Sequence, residues 1–114
     1  DRYEIRGLDR LPMSELEDTI IGDVADFDTM LEATKGMDAV IHLTGVDHEW
    51  EGVLQSNIIG TYNMLETARL NGVKRIAYAS RAGVVGPYPE TVKRTVDMPT
   101  LPRGFYTVSK CPTI

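Results

Sequence analysis

Disulfide chemistry is closed to this chain. Cys111 stands alone among 114 residues, so no internal bridge can form, and a reducing, cytoplasmic setting is expected. Positive charge is scarce. Twelve Lys and Arg face seventeen Asp and Glu, a net charge of −5, which argues against a nucleic-acid partner held by phosphate neutralisation. No apolar run approaches the roughly 20 residues that span a bilayer. The opening DRYEIRGLDR is charged from its first residue and does not read as a secretory leader, so no membrane association is expected. The two histidines, His42 and His48, belong to no cluster with Cys or Asp at metal-ligand spacing, so a metal is not expected. Cys111 has no convincing partner base and is not read as a nucleophile. Repeats, low-complexity tracts and linkers are missing too, and this length allows one domain at most.

What is present is an alternation of strand and helix patterns. YEIRGLD (3–9) reads as a weak strand ending at Asp9, and DTIIGDVAD (18–26) as a short apolar strand running into a turn at Gly22 and Asp23. DFDTMLEATKG (26–36) places Phe27, Met30, Leu31 and Thr34 on one stripe, with acids at its start and Gly36 as a stop, which predicts a helix. MDAVIHLTG (37–45) reads as a strand buried on both faces, with His42 a core histidine in mid-run. HEWEGVLQSNIIGTYNMLETARLNG (48–72) predicts one long helix. Trp50, Val53, Leu54, Asn57, Ile58, Thr61, Leu65 and Ala68 recur at helical spacing, and Asn71-Gly72 close it. VKRIAYAS (73–80) follows as a strand. Residues 81–104, with Pro87, Pro89, Pro99 and Pro102, predict a long irregular loop of the kind that usually carries function.

Strands alternating with helices imply βαβ units: an α/β fold with a parallel sheet and helices on its faces. Ligands bind such sheets beyond the carboxyl ends of the strands. Asp9, Asp23, Thr44 and Ser80 all fall at or just past such ends. Near the last residues, YTVSK (106–110) sets Tyr106 and Lys110 four apart, on one face of a helix. A nearby ammonium favours the phenolate, so the two form a plausible proton-transfer pair. Asn57 is a polar residue on an apolar stripe, and a buried amide needs partners.

In order and spacing, these segments resemble the NAD-dependent epimerase/dehydratase family, the extended short-chain dehydrogenases. RGLDR resembles the family's second strand with its ribose-binding acid, GDVAD the turn at the adenine, and VIHLTG the fourth strand whose exit lines the cofactor. NIIGTYNMLETARLNGVKRIAYAS resembles the N-x-x-G-T helix and fifth strand, and YTVSK the family's Tyr-x-x-x-Lys. VIHLTGV, the 54–80 stretch and GPYPET are most similar to uronate dehydrogenases. The resemblance implies a Rossmann-like fold and hydride transfer with NAD. Asp9, Arg10, Asp23, Val24, Leu43, Thr44 and Gly45, with Tyr106 and Lys110, would hold the cofactor. Asp9 would bond both ribose hydroxyls and repel a 2′-phosphate, favouring NAD over NADP, while Arg10 softens that preference. Tyr106, Lys110, Ser80 and Asn57 would serve catalysis, and Arg81 would meet an anionic substrate. The implied substrate is a sugar acid or nucleotide sugar, and the implied assembly a homodimer through the 48–72 helix.

Three departures qualify the resemblance. No G-x-x-G-x-x-G occurs, because the chain opens at what should be the second strand. A gap in mid-sheet is therefore expected, along with the loss of most phosphate contacts. Arg81 stands where the family carries a catalytic Ser or Thr, five residues before Gly86. A guanidinium neither deprotonates nor fits a hydroxyl's space. Little follows Lys110, with Pro112 in the way of the helix. Residues 1–114 are thus expected to be a partial, truncated NAD(P)-binding Rossmann-like domain, inactive by itself. The alternative is a nucleotide-binding or structural relative that has lost activity.

Overall fold

The computed structural model describes residues 2–111; Pro112 lies outside the described residues. Four short strands form two parallel ribbons. β1 (Arg6–Asp9) pairs with β2 (Asp18–Ile21), Arg6 opposite Asp18. β3 (Ala39–His42) pairs with β4 (Arg75–Tyr78), Ala39 opposite Arg75. β1 and β3 do not pair with each other. Between them lies a slot of about 140 Å³ lined by Arg6, Leu8, Val24, Met30, Val40 and His42, which is the expected mid-sheet gap.

One helix layer joins the two ribbons. α1 (Phe27–Thr34) starts where the Asp26 carboxylate accepts from Thr29 N at 2.7 Å, satisfying an orphan donor of the first turn. It packs against α3 (Gly60–Leu70). Val24, Met30 and Met64 form the core, and Leu8, Val40 and Tyr78 pack on it from β1, β3 and β4. The helix layer therefore touches both ribbons although they share no ladder.

Two expectations need correction. Residues 48–72 are not one regular helix. α2 (Trp50–Gly52) runs into a π-helical segment, Val53–Ile59, before α3 begins. At its end Gly60 N reaches back five residues to Gln55 O. The wider π turn rotates the buried face. Val53, Ser56, Asn57, Gly60, Asn63, Met64, Thr67 and Ala68 are buried, whereas Trp50, Ile58 and Leu65 from the predicted stripe are exposed. Gly60 sits at the closest approach, since a Cβ there would meet Val24 Cγ2 at 2.5 Å. Secondly, β3 is covered on one face only among the described residues. Val40 and His42 face the helices, but Ile41 and Leu43 are 71% and 73% exposed. Its continuous apolar run is suited to two covered faces.

Candidate active site

Strand exits and α4 (Phe105–Ser109) meet at one end of the molecule. A cavity of about 280 Å³ opens there, lined by Asp9, Arg10, Asp23, Val24, Leu43, Thr44 and Gly45, together with Leu8, Gly22, Val46 and Ser56. All seven residues assigned to the strand-end part of a cofactor site thus border one cleft. Asp9 Oδ1 accepts from Leu11 N at 3.0 Å, and Asp23 Oδ1 from Ala25 N at 2.9 Å. Each acid shapes its own turn and keeps a second oxygen for another partner.

Lys110 ties α4 to β3. The residue is 3% exposed, and its ammonium donates to Thr44 O at 2.7 Å, over the Tyr78 ring at 5.3 Å. Burial pushes its pKa below the usual lysine value. Gly45 gives it room, since a Cβ there would lie 2.9 Å from Nζ. Asn57, 1% exposed, is fully used. Its Oδ1 accepts from Val46 N at 2.8 Å, and its Nδ2 donates to Val46 O at 2.9 Å and Ser109 Oγ at 3.0 Å. It therefore clamps the β3 exit to α4. A residue of the π-helical segment does this because the widened turn aims its amide at the loop after β3.

Ser80 and Arg81 diverge. Ser80 Oγ donates to Lys110 O at 2.6 Å, so its hydroxyl braces the backbone of α4. The Arg81 guanidinium lies 4.7 Å from the Tyr106 ring centroid. Tyr106 itself is half-buried. The geometry thus puts Arg81 against the tyrosine ring, while the Ser80 hydroxyl is bonded elsewhere. A guanidinium over an aromatic face is attractive by about 0.5–1 kcal/mol at exposed sites.

Sequence reasoning did not single out Tyr78, Ser109 or Thr61. Tyr78 stacks on His42 at 5.8 Å and donates to Ser109 O at 3.2 Å. The available signal was a hydroxyl-bearing aromatic in the short apolar strand IAYA. Ser109 and Thr61 gave none beyond their neighbours.

Parallel strands, a helix layer and a lysine–tyrosine helix at the strand exits define a Rossmann-type arrangement of the extended short-chain dehydrogenase/reductase kind. The chain belongs to the 3-beta hydroxysteroid dehydrogenase/isomerase family, whose model matches residues 3–111. It is 43% identical over 91 residues to a uronate dehydrogenase of Agrobacterium fabrum, covering 78% of this chain and 34% of that protein. It is 39% identical over 109 residues to an NAD-dependent glucose-6-phosphate dehydrogenase of Haloferax volcanii, covering 86% and 41%. Among solved structures, a tyrosine-to-alanine mutant of the Agrobacterium tumefaciens uronate dehydrogenase, complexed with NAD, superposes with a TM-score of 0.87 at 37% identity. That match covers 95% of this chain and 43% of the other. The chain thus spans between a third and a half of the length of these relatives. No described helix is long and apolar enough to cross a membrane.

Proposed function

We propose that residues 1–114 are the strand-end half of an NAD(P)-binding Rossmann-like domain and form part of an NAD-linked sugar dehydrogenase acting on a sugar acid or a related sugar. One observation carries this reading. Lys110 reaches from the Tyr106 helix to Thr44 O at the rim of the cleft that holds Asp9 and Asp23. Cofactor and proton-transfer groups then share one end of the sheet, as a hydride transfer requires. The cleft fits the adenosine side of a dinucleotide. Its volume falls just below the roughly 300–1,000 Å³ of a typical whole-ligand pocket, and no glycine-rich phosphate cradle lies among the described residues.

NAD, when bound, supplies the hydride acceptor. Asp9 and Arg10 read the adenosine ribose, Asp23 and Val24 flank the adenine, and Leu43, Thr44 and Gly45 line the path onward. Tyr106, as phenolate, takes the proton from the substrate hydroxyl. Lys110 would support that ionised state and help hold the cofactor's ribose. Asn57 and Ser80 hold the two elements that position this pair. Arg81 faces the substrate and pairs with its anionic group. Titration of the chain with NAD and NADP, followed by backbone amide resonances, tests the reading. Shifts should concentrate at residues 8–10, 22–25 and 43–46, with weak affinity for NAD and weaker for NADP. No shift in those segments, or a dissociation constant in the low micromolar range or tighter, contradicts it.

A second reading, a relative without turnover that still binds nucleotide, is favoured by Arg81 in place of the catalytic hydroxyl. Association also enters the proposal. Ile58, Tyr62 and Leu65 form an exposed stripe along the π-helical segment and α3. We assign this face to a homodimer. Sedimentation equilibrium should give twice the chain mass; a monodisperse monomer contradicts it.

A further inference from the structure

His42 is a buried titratable group that the proposed reaction does not use. It is 4% exposed at the carboxyl end of β3. Its ring stacks on Tyr78 with an interplanar angle of 15°, and Nε2 lies 3.4 Å from Thr61 Oγ1. The Lys110 ammonium sits over the same Tyr78 ring. Tyr78 is therefore shared by the imidazole and the ammonium, and its hydroxyl is anchored to Ser109 O, one residue before the lysine.

We infer that His42 is a positioning residue for Lys110. Its uncharged ring backs the tyrosine on which the ammonium rests, and a proton on His42 releases the lysine from the Thr44 carbonyl. The surroundings favour the neutral ring. Lys110 faces it from α4, Tyr78 from β4 and Thr61 from α3, while the slot beside it is lined by Arg6 and by no Asp or Glu among the described residues. A second positive charge there is buried and adds to the Lys110 charge, while Arg6, at the far end of the slot, is already paired with Asp18. Burial first, and the Lys110 charge second, lower the His42 pKa from 6.5. A histidine depressed in the folded state contributes stability that is present above the ordinary value and lost as pH falls through the folded one. Release of Lys110 should follow the same window, below about pH 6.5. The inference rests on the functional reading only for its catalytic consequence, the loss of a tethered ammonium at the proposed proton-transfer site. The test below needs neither cofactor nor turnover, so the two can fail separately.

Competitive amine acetylation read by mass spectrometry measures Lys110 against Lys35, Lys74 and Lys93, all exposed. At pH 7.5 Lys110 should react at least tenfold more slowly than these three. Its relative reactivity should rise as pH drops from 7 to 5. His42→Phe keeps a ring against Tyr78 but cannot take a proton, so it should keep the protection and lose the pH dependence. His42→Ala removes the backing and should abolish the protection at every pH. If His42→Ala unfolds, the pH series of the parent and His42→Phe decides the matter alone. If protonation of His42 does not govern the lysine, the two pH series should be equal. That result overturns the inference, as does Lys110 reacting at the reference rate in the parent at pH 7.5 or staying protected in folded His42→Ala.

Discussion

Tyr106→Phe should lower kcat by about 10²–10⁴-fold, the usual worth of a positioned acid–base group, while leaving NAD affinity nearly unchanged. The context is a chimera in which residues 3–111 of this chain replace the matching segment of the Agrobacterium fabrum uronate dehydrogenase. The exchange should preserve the fold, given a TM-score of 0.87 to a uronate dehydrogenase. The substitution removes one oxygen. The ring stays beneath the Arg81 guanidinium, and Ser109 Oγ still donates to the residue-106 carbonyl, because both contacts ignore the hydroxyl. Helix α4 and the Lys110 tether should therefore persist. The loss corresponds to about 3–5 kcal/mol of transition-state stabilisation. Because the phenolate acts in the chemical step, kcat should fall and KM stay within a few-fold. Turnover followed at 340 nm, with cofactor binding followed by fluorescence, separates the two. A kcat within about threefold of the parent chimera would mean that the proton leaves by another route.

Arg81→Ser should act in the opposite direction. The guanidinium lies against the Tyr106 ring, and on the proposed reading a small donor there would orient the substrate. A missing positioned hydroxyl costs about 3 kcal/mol of transition-state stabilisation, by comparison with one oxyanion-hole donor. A charge-assisted pair with a carboxylate contributes roughly 1.5–3 kcal/mol. That pair exists in the ground state too, so it lowers KM more than it raises kcat. The hydroxyl should win. In the chimera, Arg81→Ser should raise kcat on neutral sugars about tenfold or more and weaken binding of uronates. Ser80 cannot supply the missing donor from its present position, because its hydroxyl is bonded to Lys110 O. If kcat stays unchanged or falls on every sugar tried, the arginine is itself part of the chemistry.

Much of this arrangement was legible in the residues, for local reasons. Asp26 before an apolar stripe marks the start of α1, and Asp9, Asp23 and Thr44 fall where short apolar runs end, so the cleft could be placed from one dimension. A gap between strands was expected too, and a slot lies between β1 and β3. The π-helical segment was not. Apolar spacing in 48–72 fits a regular helix, and the choice of an i→i−5 bond depends on Gly60 closing against Val24 and Asn57 reaching Val46. Those are tertiary contacts that periodicity does not encode. The partner of the Lys110 ammonium was equally hidden. A Tyr-x-x-x-Lys spacing places two side chains on one face, but the bond to Thr44 O crosses 66 residues. Ser80 and Arg81 could be told apart only because backbone alternation turns neighbours to opposite sides; their partners came from the fold.

The central claim is that residues 3–111 carry the proton-transfer groups and the adenosine-reading groups of one NAD-linked sugar oxidoreductase. NADH formation at 340 nm by the Arg81→Ser chimera, given D-galacturonate and NAD, tests it most directly. The account predicts steady NADH production that slows at least tenfold when Arg81 is kept with a neutral sugar, is lost with Tyr106→Phe and is weaker with NADP. A folded chimera that binds NAD yet forms no NADH from any sugar, or that turns over equally well with Phe at position 106, would contradict it.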